Sequence, residues 1–536
     1  MGSFDHIVIG AGSAGCAVAA RLSEDPDRRV LLIEAGGSDR RLEARAPAGF
    51  PGLFHTKRDW DYRTEPEPGC AGRRLYHPRG RLVGGCSAMN AQLWVRGSDR
   101  DYDGWGIPGW GWEDVLPYFL RIEDHFLDDA AHGRGGPIKV RRIDTPDPTT
   151  AHFVRSAVAA GIPETQDLSG PELEGVQFSA TNTYRGRRWS AARGYLDPAR
   201  RRRNLTVVTD TLVRRIVLRE GRAVGVEVER RGTVERHDAR GDIVLSAGAF
   251  NTPHLLQISG IGPAEHLAEI GVDLAVDSPA VGAHLTEHPM TFVNWELRAP
   301  WLGLSDAESP RQLLRWVLRG RGKLCSNVGE SLAHVRTEEG LEAPDMQLVN
   351  GPVFFWQHGE GEHAKPAMMV GQSYWTPKSR GHVLARSADP TQKPAVQLNL
   401  LTEPDDVAAM MRGVRLTRRI AEHAPLRDVI AAEITPGPDV QTDAELERWV
   451  RETCEHTYHP ACTARIGEPG EGVVDPELRV HGVAGLRVAD ASVLPRITRA
   501  NTHAPATLVG ERCAAFIRGH DAIPGARSGR SAIATP

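Results

Sequence analysis

Apolar residues in this chain fall into short runs and spaced sets that alternate along its length. Ile7-Val8-Ile9 is a short apolar run that meets a glycine turn, the pattern of a strand handing over to a helix. An alanine-rich helical stretch, Cys16 to Leu22, follows it. A polar turn at 24–27 then leads to a second apolar run, Val30 to Ile33. Alternation over 204–218, then hairpin punctuation over 221–248, predicts β structure; Asp242 to Ser246 is a strand entering the Ala247-Gly248-Ala249 turn, with a helix over 251–262. Strand-like pieces at 381–387 and 395–400 precede a helical 405–422. Near the end, Leu486 to Ala489 reads as a strand closing on Asp490, and 499–517 as a polar turn running into a helix. Strand–helix–strand order at the start predicts a Rossmann-like α/β domain whose last strand comes from the C-terminal part. The stretch from about Met290 to Thr453, richer in Trp and Phe, predicts a second domain.

The first turn carries chemistry. Gly10, Gly12 and Gly15 form G-x-G-x-x-G between a strand and a helix. The first glycine permits the tight turn, the second lets backbone approach a pyrophosphate, and the third lets helix and strand pack closely. The helix N-terminus adds unpaired N–H groups and a positive dipole end. Glu34, at the end of the second strand, stands where ribose hydroxyls need an acceptor and argues against a 2′-phosphate. By itself the turn admits NAD, NADP or FAD.

The chain has 536 residues, too many for one core. With a formal net charge of −4, nothing in the overall charge argues for nucleic acid or an anionic membrane as the main partner. No apolar run reaches membrane-spanning length. The first strand starts within six residues of Met1, and the seven cysteines contain no C-x-x-C, so a cytoplasmic protein without a signal peptide is expected. His284 to His288 reads H-x-x-E-H, a zinc-protease pattern, but Pro289 follows at once and no third ligand announces itself; no metal is expected. Residues 521–536, rich in Gly, Ser, Ala and Pro, are expected to form a flexible tail.

Four ordered motifs resemble the glucose–methanol–choline (GMC) family of FAD-dependent oxidoreductases. GRLVGGCSAMN (80–90) is similar to its first signature and GAFNTPHLLQISGIGP (248–263) to its second. HPACTARIG (459–467) and VADASVLPRITRANTHAP (488–505) resemble its C-terminal active-site segments. The likeness spans Phe4 to about Arg518, and the first 290 residues look most like bacterial choline oxidases, choline dehydrogenases and hydroxymethylfurfural-type alcohol oxidases. It implies an α/β fold, α+β overall: an FAD-binding domain (1–155, 195–290 and 455–520) and a mixed-sheet substrate domain (156–194 and 291–454). It implies His459 as base and Asn501 as its partner on the substrate oxygen. The cofactor residues carried over are Gly10, Gly12, Ser13, Ala14, Gly15, Glu34, Ala35, Trp60, Val83, Asn90, Ala91, Gln92, Leu93, Val213, Tyr458, Asp490, Ala491, Thr502 and His503.

Departures from the family pattern sharpen this expectation. Met89 stands where covalently flavinylated members carry a linking His, so FAD is expected to be non-covalent. Cys86 replaces the usual small residue. Cys462 replaces a glycine, and strain is expected if that position needs positive φ. Ile466 replaces Met, His284 replaces Asn, and Val349 takes a histidine position of the PD-x-Q-x-H strand (here PDMQLV, 344–349). Alcohol oxidation needs a base for the hydroxyl proton, a donor for the oxygen and a hydride acceptor, the last being the cofactor's chemistry. Val349 and the run Phe354 to Trp356 favour an apolar or aryl primary alcohol over a choline-like one, for which Glu330 is the candidate carboxylate. Oxygen or another acceptor would take the electrons, and a monomer or homodimer is expected. The alternative is a flavoprotein of the same fold with non-oxidative chemistry, a hydroxynitrile lyase or fatty acid photodecarboxylase, suggested by Cys462.

Overall fold

The computed structural model describes residues 3–143, 145–170 and 173–520; the expected tail at 521–536 lies outside them. Its first layer is a five-stranded parallel sheet in the order Leu205–Val208, Val30–Ile33, His6–Ile9, Ile243–Leu245, Leu486–Val488. Helices cover both faces of parallel strands, so the strands are continuous apolar runs, buried along the full length of His6–Ile9 and Val30–Ile33. The two termini of the cofactor-type layer meet here. Helix Ser13–Leu22 packs along the last helix, His503–Arg518. A Cβ on Gly510 would lie 2.5 Å from the Ala14 carbonyl oxygen, so only glycine lets the two backbones come this close.

A second layer is a seven-stranded sheet. Ile430–Thr435, Pro289–Leu297, Ala367–Tyr374, Met346–Gly351, Ser331–Val335 and Gly175–Phe178 lie side by side, with Glu455–His456 also pairing to Pro289–Leu297. A mixed sheet was the expectation; these strands pair antiparallel throughout. Ser331–Val335 and Met346–Gly351 are joined by a loop with no crossover helix, and such connections build antiparallel pairs. Helix Pro404–Ala421 covers one face, burying Val407, Met410, Val414 and Ile420. The three-stranded meander Leu212–Arg219, Arg222–Arg230, Thr233–Asp238 stands beside the parallel sheet and follows the alternation read over 204–248.

Candidate active site

One cleft, partly open to solvent, runs from the C-terminal edge of the parallel sheet to the face of the antiparallel one. That edge is where open α/β sheets hold ligands.

At the sheet end, Gly10 has φ +97°, and a Cβ there would strike the Ser246 carbonyl oxygen at 2.4 Å. A Cβ on Gly15 would sit 1.9 Å from the Gly10 carbonyl oxygen, so this glycine serves helix–strand packing, and it does not line the cleft. A Cβ on Gly12 would meet no atom within 4 Å, which leaves its backbone approachable. The Glu34 carboxylate accepts from the Ala11 and Gly36 N–H groups, each at 2.8 Å, and burial pushes it up to about 7. Asp490 accepts from Gly248 N–H (2.8 Å) and Thr252 Oγ1 (2.6 Å). Ser13 bonds His503 Nδ1 at 2.8 Å, tying the first helix to the last. Ala14, Ala35, Trp60, Val213, Ala491 and Thr502 line the same half of the cleft or its flank. Val83 does not. It is buried in the core, its N–H donating to Gly37 O at 2.9 Å, and its neighbour Gly84 donates to Ala11 O at 2.7 Å; the segment steadies the glycine turn from behind.

Between the two halves lie Met89, Asn90, Ala91, Gln92 and Leu93. Arg188, which motif reading missed, is fully buried and donates to Asn90 Oδ1 at 2.8 Å and Asn90 O at 2.5 Å. With no carboxylate bonded to it among the described residues, burial lowers its guanidinium to about 9.

Toward the antiparallel sheet, the lining turns apolar: Leu93, Met290, Phe292, Val349, Phe355 and Met369. Val328 joins them at φ +71°, a strained conformation for a β-branched residue. Of the expected aromatic run only Phe355 faces the cleft; Phe354 packs on His363, and Trp356 on the core under the second sheet. Glu330 is turned away, accepting from Ser326 Oγ, Thr150 Oγ1 and the Asp147 N–H. Among the described residues, the only carboxylates lining the cleft are Glu34 and Asp490, both at ends of parallel strands.

His459 and Asn501 meet in this cleft. Gln347 Nε2 donates to Asn501 Oδ1 (3.3 Å), which leaves the Asn501 amide nitrogen facing His459 Nε2 at 3.4 Å. His503, two residues on, bonds Ser13 instead. Behind the imidazole, His459 Nδ1 bonds Thr457 Oγ1 (2.9 Å) and His288 Nδ1 (3.1 Å), and the His459 N–H donates to Glu287 Oε1 at 2.7 Å. Burial, with His288 and Arg79 nearby, holds the His459 imidazole well below the usual histidine range. It is therefore neutral at pH 7, with a lone pair on Nε2 if Nδ1 carries the proton. Glu287 is buried against His77 Nε2 (3.0 Å), and burial pushes its carboxyl up to about 8.

Glu287 and His288 belong to the H-x-x-E-H stretch. His284 stands apart at φ +61°, half-buried. The signal for the pair was thus present as a metal-like pattern, and its histidine–carboxylate content turns out to pack against the base. His77, Glu287 and His456 come within 4.8 Å of one another through potential ligand atoms, but His456 is closed by its bonds to Tyr76 O (2.9 Å) and the Tyr458 N–H (3.3 Å). Tyr458 itself lines the cleft at φ +64°. Cys462 takes φ +74°, the left-handed conformation its glycine counterpart implied, at a cost of about 1–2 kcal/mol; its thiol is buried outside the cleft lining.

The cleft fits FAD. Gly12 leaves room beside the glycine turn, and Ser246 Oγ, His254 Nε2, Gln92 Oε1 and His503 Nε2 are buried in the lining without a protein partner.

Comparison with known proteins agrees with this geometry. The GMC oxidoreductase family models match residues 4–290 (N-terminal part) and 377–510 (C-terminal part). The chain is 42% identical over 525 residues to an uncharacterized GMC-type oxidoreductase of Mycobacterium tuberculosis (strain ATCC 25618 / H37Rv), covering 96% of this chain and 99% of that protein. It is 39% identical over 550 residues to the oxygen-dependent choline dehydrogenase of Rhizobium meliloti (strain 1021), covering 99% and 98%. The crystal structure of pyridoxine 4-oxidase from Mesorbium loti superposes with TM-score 0.88 at 31% identity, over 97% of this chain and 100% of that one. A fungal aryl-alcohol oxidase superposes with TM-score 0.83 at 25% identity, over 96% and 98%. The chain belongs to the GMC oxidoreductases and is an FAD-dependent flavoenzyme.

Proposed function

We propose that this protein oxidises an apolar or aryl primary alcohol to the aldehyde. One observation carries the reading: His459 Nε2 and the Asn501 amide converge on a compartment lined by Met290, Phe292, Val349 and Phe355, with no carboxylate on that side among the described residues. His459 accepts the hydroxyl proton at Nε2, and Asn501 donates to the oxygen as negative charge builds on it. Thr457 fixes the imidazole from behind, and the Glu287 carboxyl holds the main chain of His459 by accepting from its backbone N–H. Bound FAD supplies the hydride acceptor. Gly12, Ser13, Glu34, Asn90, Val213, Asp490, Ala491 and His503 are the residues we assign to holding it, non-covalently, with Met89 offering no linking nucleophile.

A quaternary ammonium substrate needs an anionic or aromatic cage. Glu330, its candidate counter-charge, is consumed by three hydrogen bonds outside the cleft. Cys462, which suggested non-oxidative chemistry, does not line the cleft either. Anaerobic mixing of the holoenzyme with benzyl alcohols, furan alcohols, alkanols and choline tests the reading. Bleaching of the flavin by the first three, far faster than by choline, is expected. Bleaching by choline alone, or cyanohydrin cleavage or light-driven decarboxylation without bleaching by any alcohol, overturns it.

A further inference from the structure

Nine large apolar side chains are exposed among the described residues, and five of them lie between Leu302 and Leu318. The other four, Leu42, Val158, Val234 and Leu274, are far apart from one another in the sequence. Four of the five, Leu313, Leu314, Val317 and Leu318, are carried by helix Pro310–Arg319. One side of this helix is anchored: Trp316 is buried, its indole N–H donating to Gly186 O at 2.7 Å, with the Arg187 guanidinium over its ring. The opposite side presents Leu314 (59% exposed) and Leu318 (72% exposed), one turn apart, with Val317 beside them. Arg311, Arg315 and Arg319 form the adjoining row at the same four-residue spacing, and Arg321 follows just past the helix end. All four arginines are exposed, and none of their side chains has an ion pair or hydrogen bond among the described residues. Nearby, Lys323 is already neutralised by Asp306.

An outward apolar stripe bordered by unpaired arginines is the arrangement of a helix lying in a lipid interface, where leucines enter the acyl boundary and guanidinium groups meet phosphates. We propose that this helix docks the protein on the surface of an anionic lipid bilayer. Charge decides among occupants. A second copy packed on the same face would set the four arginines of one protomer against those of the other. Residues 521–536 carry Arg527 and Arg530 against the single acid Asp521, so they do not complement the patch. The overall net charge of −4 does not oppose docking, because only charges within a Debye length of the bilayer act on it.

The test is co-sedimentation of the flavin-loaded protein with vesicles of phosphatidylcholine, with and without added phosphatidylglycerol. Binding to the anionic vesicles that weakens as salt rises is expected. The double variant Leu314→Glu/Leu318→Glu should lose on the order of a hundredfold in vesicle affinity, and each Arg→Gln change at 311, 315, 319 or 321 about fivefold. Because these side chains are exposed, flavin content and turnover of a water-soluble alcohol should match the parent and report an intact fold. Wild-type protein left in the supernatant with anionic vesicles at low salt overturns the proposal. So does equal vesicle binding by the double variant, or a protein that ignores vesicles but sediments as a dimer abolished by Leu318→Glu.

Discussion

Replacing Glu287 by glutamine separates the charge of this buried group from its shape. Burial pushes the Glu287 carboxyl up from 4.5 to about 8. Between those two values the folded protein holds a proton that the unfolded chain has released, so wild-type stability falls as pH rises. Each pH unit in that window costs about 1.4 kcal/mol, and the whole window roughly 5 kcal/mol. Glutamine is neutral throughout. Its oxygen can still accept from the N–H groups of His459 and His288, and its NH₂ can still donate to His77 Nε2. The variant should therefore match wild type near pH 4.5 and gain on it steadily, to roughly 5 kcal/mol above pH 8. At about 2 °C per kcal/mol, that is a Tm difference of about 10 °C. Thermal unfolding of both proteins, followed by tryptophan and flavin fluorescence across that range, reads the difference directly. Other buried acids, Glu34 and Glu455 at about 7 among them, are common to both and cancel. Two stability curves that run parallel in pH would refute the reasoning, because the proton would then not reside on Glu287.

His459→Ala should keep its flavin and slow anaerobic flavin reduction about 10²–10⁴-fold; a near-wild-type rate in stopped flow removes His459 as the base. Since burial holds His459 well below 6.5, the reduction rate should stay flat from pH 8 through 6.5 and fall only in more acid solution, and a break at or above 6.5 contradicts that environment. Gly510→Ala places a methyl 2.5 Å from the Ala14 carbonyl oxygen, so it should cost about 1–3 kcal/mol and weaken flavin retention; unchanged denaturant unfolding and flavin affinity would show that the helices can part freely. Acid precipitation should leave the flavin in the supernatant, and yellow colour in the pellet would contradict the reading of Met89.

The parallel sheet was legible because its strands are unbroken apolar runs tied to glycine turns, a pattern few other structures produce. Boundaries shifted by a residue or a few: the first helix begins at Ser13, not Cys16, since a capping turn carries no hydrophobic signal. The glycines of the first turn could be assigned individually because each role is steric and local. The antiparallel pairing of the second sheet was not legible, since pairing direction depends on connections between runs of similar composition. The same holds for Arg188, and for the role of Glu287, whose H-x-x-E-H pattern pointed to a metal and not to the base. An isolated buried charge has no periodicity, and its partners (Asn90 for one, His459 for the other) lie far away in sequence. His459, Asn501 and the left-handed Cys462 were reached through motif resemblance; periodicity alone pointed to none of them.

The last strand and last helix also set the order in which the protein can be made. When Ile243–Leu245 leaves the ribosome, four strands of the parallel sheet exist, and one edge stays open until Leu486–Val488 is synthesised. The helix at Ser13–Leu22 waits longer still, for a partner that ends at Arg518. Through most of translation the growing chain therefore carries an unpaired edge and an uncovered apolar helix, both invitations to aggregation. Flavin capture belongs to the finished polypeptide, and a transcript truncated before codon 486 yields a protein with no complete nucleotide cleft.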